Sequence, residues 1–353
     1  MTAPQKFSVS WEKLFVEEAN ERHHSEDYIR ACLDYATRLK TRNLPIIFDQ
    51  KHLGLILNIH EGLLDQRNFD GYYRSYYIRK KHRHGVRLIS SPVHWLKQVQ
   101  RWIYTNILLK DSSVSPNAFG FLPKGYAGRS DITIKTNAEV HVDQNWLINI
   151  DLKDYFPSIH RDRVYGYFES LGYTAEVVEA LTKLCIRNGT LPQGAPTSPM
   201  LSNLICSPLD SRMEEIAGAY NAHYTRYADD LSFSGTDGRP PISLIYLEIT
   251  ACGFIPNYSK TKIRHSGQRR MVTGLTISDG VHVPKKYRDE VLRELYFCKK
   301  FGVESHIEMH RAVHNSQQGF YKEWLLGRIM FINSIEPETG KKMLDIFNNL
   351  SWL

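Results

Sequence analysis

Two aspartates stand side by side in His223-Tyr224-Thr225-Arg226-Tyr227-Ala228-Asp229-Asp230-Leu231-Ser232-Phe233-Ser234-Gly235. Tyr224 and Tyr227 before them and Leu231 and Phe233 after them favour extended backbone, so the stretch reads as a β-hairpin with both acids at its turn. Alone, such a pair is most often a solvated turn. A third acid widens the chemistry: Asp151 closes the apolar run Trp146-Leu147-Ile148-Asn149-Ile150, which places it at a strand end. If that strand lies beside the hairpin in one sheet, Asp151, Asp229 and backbone carbonyls can hold two hard divalent cations about 3.5–4 Å apart, as in-line phosphoryl transfer requires. Asp230 either binds one ion directly or orients the other ligands. Oxygen-only ligands suit two Mg²⁺ ions, with Mn²⁺ as a substitute.

The elements that must position these acids surround them in the chain. Leu191-Pro192-Gln193-Gly194-Ala195-Pro196-Thr197-Ser198-Pro199-Met200-Leu201-Ser202-Asn203 is a Gly/Pro-rich loop running into a helix, and residues 160–186 read as helix packed through Val164, Phe168, Val177, Leu181 and Leu184. The order of the segments resembles the reverse-transcriptase palm, whose motifs appear as Asp151 to Phe156, Gln193-Gly194 to Pro199, and Tyr227-Ala228-Asp229-Asp230. That resemblance implies an α+β right-hand polymerase of fingers, palm and thumb, with an antiparallel palm sheet and a helical thumb. It implies that Asp151, Asp229 and Asp230 are catalytic and that Phe156 bars a ribose 2′-hydroxyl. Gln193 and Gly194 would line the nascent base pair, the first through its amide and the second by leaving room.

Upstream, Tyr72, Tyr73, Tyr76 and Tyr77 precede Ile78-Arg79-Lys80-Lys81-His82-Arg83-His84-Gly85-Val86-Arg87-Leu88-Ile89, a hairpin with a basic tip. By the same resemblance it is the fingers hairpin that grips the triphosphate, with Lys81 at the tip, Lys80 a close alternative, and Arg87 on the returning strand. The run from Pro92 to Leu109 has helical periodicity, with Leu96, Val99, Ile103 and Ile107 as core positions. Near the other end of the palm, Lys260, or its neighbour Lys262, aligns with the lysine that assists protonation of the leaving pyrophosphate. The stretch Val272-Thr273-Gly274-Leu275-Thr276-Ile277 reads as a strand interrupted by Gly274.

Two further signatures narrow the resemblance to retron-type enzymes: Asn137-Ala138-Glu139-Val140-His141, placed in a helix reaching about Val142, and Val272-Thr273-Gly274. Asn137, His141, Val272, Thr273 and Gly274 are accordingly expected to serve RNA recognition. Lys124 and Arg129 in the loop before them are expected to meet phosphate, with Gly125 and Gly128 allowing close backbone approach. Such enzymes use a structured noncoding RNA as template and primer, start from an internal guanosine 2′-hydroxyl with deoxynucleoside triphosphates, and leave branched RNA–DNA. They work with an effector, expected here to be separately encoded, in antiphage defence. A group II intron-like or diversity-generating reverse transcriptase would share the acids, and a noncatalytic RNA-binding scaffold is the reading from another class.

Charge placement supports a polyanionic partner. The net charge is +7, yet residues 71–140 carry twelve Lys or Arg against Asp111, Asp131 and Glu139, so the remainder is slightly acidic. No run of eighteen apolar residues and no basic-then-apolar leader is present, and Cys32, Cys185, Cys206, Cys252 and Cys298 lack CxxC spacing. These features point to a cytoplasmic chain with reduced thiols, no membrane association and no zinc site. The expected organisation is a helical region 1–70, fingers 71–142, palm 143–283 with fingers helices inserted between motifs, and thumb 284–353. In the first region Ser10, Ser25 and Asp49 are expected helix caps. In the last, Val291, Leu292, Leu295 and Phe297 form one apolar pattern, and Trp324, Leu325, Ile329 and Phe331 another. Lys285, Lys286, Arg288, Lys299 and Lys300 are available to phosphates.

Overall fold

The computed structural model describes residues 11–79, 86–314 and 320–352, so Ser10, Lys80 and Lys81 lie outside the described residues. The chain opens with α1 (Trp11–Glu21), α2 (Glu26–Thr41), α3 (Gln50–Leu57) and α4 (Glu61–Leu64), followed by β1 (Tyr73–Arg79), β2 (Val86–Pro92) and α5 (His94–Asn106). Next come α6 (Ile134–Glu139), β3 (Trp146–Asp151), α7 (Arg161–Ser170), α8 (Ala175–Cys185), α9 (Ser198–Ile205) and α10 (Ser207–Ala219). Then follow β4 (His223–Tyr227), β5 (Asp230–Gly235), α11 (Ile242–Ala251), β6 (Lys262–His265), β7 (Arg270–Val272), β8 (Leu275–Ile277) and β9 (Val281–His282). Four helices complete the chain: α12 (Lys285–Phe301), α13 (Val303–His314), α14 (Tyr321–Ile335) and α15 (Pro337–Asn348). Helices mixed with antiparallel sheets make this an α+β fold.

The described residues fall into two compact units. One comprises Met1–Ser115, Lys153–Pro208 and Gly253–Ile255. In it the Ser25 and Asp49 side chains cap α2 and α3 by accepting from the Tyr28 and His52 amides. Leu96, Ile103, Phe168, Leu181 and Leu184 are fully buried in its core. The single helix expected over 160–186 is two helices, because Gly172 takes φ +93° after the last turn of α7 and Thr174 starts α8.

The other unit comprises Pro116–Leu152, Leu209–Cys252 and Pro256–Leu353. Its main sheet has the order β4-β5-β3-β6, entirely antiparallel, and a smaller sheet runs β7-β8-β9. The interrupted strand expected at Val272–Ile277 is instead the tight hairpin β7–β8: Thr273 at φ 48° and Gly274 at φ 83° form its two-residue turn, both in the left-handed region that such turns require. Helix α6 ends at Glu139, short of the expected Val142, and His141 lies in the turn beyond. In α12 and α14, Val291, Leu295, Leu325 and Ile329 are buried as expected. Leu292 and Trp324 are exposed, since each falls one position off the inward stripe.

Helices α14 and α15 cross closely at Gly340, where an added Cβ would lie 2.2 Å from the Asn333 Cα. Gly340→Ala should therefore lower unfolding free energy by about 1–3 kcal/mol, the usual cost of forced overpacking. Urea titration checks this, and an unchanged midpoint would mean that the crossing can open freely.

Candidate active site

The aspartate hairpin has the predicted form. Tyr227 pairs with Asp230, leaving Ala228 and Asp229 as a two-residue turn, and β5 runs antiparallel to β3 with Asp230 opposite Asp151. Cross-strand partners share a face, so the sheet sets Asp151 and Asp230 within reach of one another. The Asp229 carbonyl accepts from the Leu152 amide at 2.8 Å, tying the turn to the chain just past Asp151.

Ala228 adopts φ 58°, an unfavourable conformation for a residue with a Cβ, and several contacts over-determine it. The Arg226 amide donates to the Asn117 carbonyl and the Phe119 amide to the Arg226 carbonyl, each at 2.8 Å. Gly120 lies so close that a Cβ there would stand 2.5 Å from the Ala228 nitrogen. The Arg226 guanidinium donates to the Ala228 carbonyl at 3.2 Å and, through Nε and Nη2, to both Asp210 oxygens at 2.7 Å, with Tyr224 Oη donating to Asp210 at 2.8 Å. Arg226 and Asp210 have no exposed side-chain surface. Sequence reasoning missed Gly120, Asp210 and Arg226; the only available signal was a charge on each of two elements expected to be buried.

Asp151 is held by two residues that follow α11. Lys260 Nζ sits 2.6 and 2.7 Å from its two carboxylate oxygens, and Asn257 Nδ2 donates to one of them at 3.0 Å. Among the described residues, no three His, Cys, Asp or Glu side chains converge as a ready metal cage. The donors are nevertheless of the right kind: hard carboxylate oxygens on adjacent strands, with one carboxylate already carrying a cation in the form of Lys260. Of the two lysines considered, Lys260 reaches the acids, whereas Lys262 is exposed at the start of β6.

Each signature segment sends part of its residues into the interior of this unit. His141 is fully buried, its Nδ1 2.7 Å from Ser234 Oγ on β5 and its Nε2 2.7 Å from Thr225 Oγ1 on β4. Asn137 and Val272 are buried too, while Thr273 Oγ1 donates to the Ile134 carbonyl of α6 at 3.1 Å, joining the two signatures. As they stand, Asn137, His141 and Val272 are buried and offer RNA no surface; His141 braces the aspartate hairpin, and Thr273 and Gly274 form the outer turn. Lys124 is exposed, and Arg129 is tied to the Ala118 carbonyl at 3.0 Å beside the Phe119 ring, so part of its donor capacity supports the Asn117–Gly120 segment.

A profile for reverse transcriptase (RNA-dependent DNA polymerase) matches residues 78–278. The chain is 34% identical over 285 residues to the retron Ec86 reverse transcriptase of Escherichia coli, covering 79% of this chain and 81% of that one. It is 30% identical over 342 residues to the retron Mx65 reverse transcriptase of Myxococcus xanthus, covering 89% and 75%. The chain belongs to the retron reverse transcriptases. Its activity is RNA-directed DNA polymerisation on a right-hand polymerase fold, with an RNA template and deoxynucleoside triphosphates as substrates, and enzymes of this class use divalent metal ions.

The remaining predicted residues of this reverse transcriptase lie in the other unit. Arg87 is exposed on β2 opposite Ile78, and Phe156 is partly buried beside Tyr155. The Gln193 carbonyl accepts from the Ser90 amide at 2.8 Å, and Gly194, at φ 126°, lies where a Cβ would meet the Ser90 carbonyl at 2.9 Å. Gly194 thus has a local reason to be glycine: it docks the loop against β2. No helix among the described residues is long and apolar enough to cross a membrane.

Burial and, secondarily, His223 hold the His141 imidazole neutral until about pH 3. An unfolded histidine takes up its proton near pH 6.5, so the stability owed to neutral His141 is full above that value and is lost as pH falls toward 3. Between pH 7.5 and 5.5 the wild type should lose about 1.4 kcal/mol relative to His141→Gln in urea titrations. A pH-independent difference between the two would show that His141 titrates normally in the fold.

Proposed function

We propose that this enzyme reverse transcribes a cognate structured noncoding RNA, priming from the 2′-hydroxyl of an internal guanosine and producing branched RNA–DNA. The observation that carries the reading is the pairing of Asp151 with Asp230 beside the Asp229 turn, with His141 of the first retron signature hydrogen-bonded to both strands of that hairpin. Residues 1–70 act as the helical lead-in, 71–142 as fingers, 143–283 as palm and 284–353 as thumb. Two Mg²⁺ ions, replaceable by Mn²⁺, would lower the pKa of the attacking hydroxyl and offset charge on the triphosphate.

Asp151 and Asp229 would hold the ions through their carboxylates, and Asp230 would bind one or orient the other ligands. Lys260 moves from Asp151 to the triphosphate and gives its proton to the departing pyrophosphate. Lys81 and Arg87 grip the phosphates, Phe156 excludes a ribose 2′-hydroxyl, and Gln193 and Gly194 line the new base pair. Lys124, Arg129, Thr273 and Gly274 face RNA, while Asn137, His141 and Val272 shape that surface from beneath. The complex acts in the cytoplasm with a separately encoded effector in antiphage defence.

Purification of wild type and Asp229→Ala from the native host tests the reading. Wild type should carry a short DNA joined to RNA through a debranching-sensitive 2′,5′ linkage. The variant should carry RNA alone, at undiminished affinity. Unbranched cDNA would assign another reverse-transcriptase class, and synthesis by the variant would remove Asp229 from catalysis.

Lys260 has its own readout. Without nucleotide, Lys260→Met should bind Mn²⁺ about fivefold more tightly by electron paramagnetic resonance, because a competing ammonium worth about 1 kcal/mol has gone. Nucleotide addition should nevertheless slow. Weaker Mn²⁺ binding would make Lys260 an organiser of the carboxylates rather than their competitor.

A further inference from the structure

Arg270 is the anomaly of the signature region. It opens β7 on the same side as Val272, facing inward, and is only 9% exposed. No hydrogen bond, ion pair or aromatic face among the described residues meets its guanidinium, and Nη1 is enclosed without a partner. The other buried arginine among the described residues of this unit, Arg226, is answered by Asp210. A buried charge left alone costs several kcal/mol, which makes Arg270 a side chain set for an anion that comes from outside.

The surroundings indicate what kind of anion. From Ile249 to Ser278 the chain carries Lys260, Lys262, Arg264, Arg269 and Arg270 and no acid. Lys262, Arg264 and Arg269 are exposed, on or just after β6 and immediately before β7, each an edge strand of its sheet. A small anion needs one cradle, whereas a row of exposed cations leading to an enclosed guanidinium matches the repeated charge of a nucleic-acid backbone. Nη1 is enclosed and unpaired, whereas Nε and Nη2 are not enclosed, so that edge of the guanidinium remains reachable.

We propose that Arg270 binds an RNA phosphodiester through the open edge of its guanidinium at the start of β7, approached across the exposed cations of the β6–β7 connection. The inference rests on the reading of the chain as an RNA-handling polymerase and adds a specific anchoring residue to it. Binding moves the anion against an already placed guanidinium, which needs no rearrangement of the Thr273-Gly274 turn.

The test uses the full chain, freed of nucleic acid, with Arg270→Gln, Arg270→Met and the exposed control Arg239→Gln, which lies outside the β6–β7 connection. The probe is a fluorescein-labelled 20-nucleotide RNA hairpin titrated by anisotropy from 50 to 300 mM KCl, with thermal melting in parallel. Removal of an unpaired buried charge should leave Tm unchanged or raise it. RNA binding should weaken about tenfold, as loss of a charge-assisted hydrogen bond does, and the salt slope should fall by about 0.7–0.9. Arg239→Gln should change affinity far less.

Lowered Tm or loss of folding in both Arg270 variants, with RNA affinity of any folded fraction unchanged, would overturn the proposal by revealing an internal structural role. So would stabilisation of the wild type by 10 mM orthophosphate, absent in Arg270→Gln, with hairpin affinity unaltered, since the site would then serve a free anion. Wild type that extends a primed RNA while Arg270→Gln binds the hairpin normally rejects Arg270 alone. Wild type that neither binds nor extends RNA rejects the underlying polymerase reading.

Discussion

The left-handed turn at Ala228 is the constraint on which the site depends. Two neighbouring aspartates can stand at a strand junction only if the preceding residue turns sharply, and here a residue with a Cβ does so at φ 58°. Such a conformation persists only when its surroundings over-determine it. The buried Arg226–Asp210 pair serves that end. Its desolvation offsets most of its attraction, so it adds little net stability. It adds direction: a guanidinium locked through Nε and Nη2 on two carboxylate oxygens is fixed in plane, with Nη1 aimed at the Ala228 carbonyl.

Around that turn the charges follow one rule: the carboxylates proposed to accept cations are held open to solvent or paired with a movable one. Asp151 is paired with a lysine on a flexible stem, and Asp230 is exposed. Asp210, which has no such task, is sealed against a rigid guanidinium. The same residue type thus plays two parts, separated by burial and by the choice of lysine or arginine as partner.

Much of this was legible in the sequence, and the parts that were not share a cause. The aspartate hairpin, the strand ending at Asp151 and the core positions of α5 and α8 follow from alternation and helical periodicity, which are local. The break at Gly172 and the turn at Thr273-Gly274 were marked by glycine, but an isolated glycine does not declare whether it bends, ends or merely thins an element. Asp210, Arg226 and Gly120 were illegible because their reasons lie across the fold: a charge is explained by its partner and a glycine by the backbone that it admits.

The signature residues show the same limit from the other side. Asn137, His141 and Val272 were recognisable as a set yet gave no hint that they are buried, and a shared motif is naturally taken for a contact surface. Their positions argue otherwise. His141 bridges the two strands that carry the aspartates, and α6, which leads into it, accepts a hydrogen bond from the Thr273 hydroxyl. A neutral imidazole is suited to this bridge, since it offers one donor and one acceptor and carries no charge into the core. Lysine or arginine in its place would bring an unpaired charge, and an aliphatic residue would strand both hydroxyls. The segments that mark this polymerase as a retron enzyme are therefore joined physically to its aspartate hairpin.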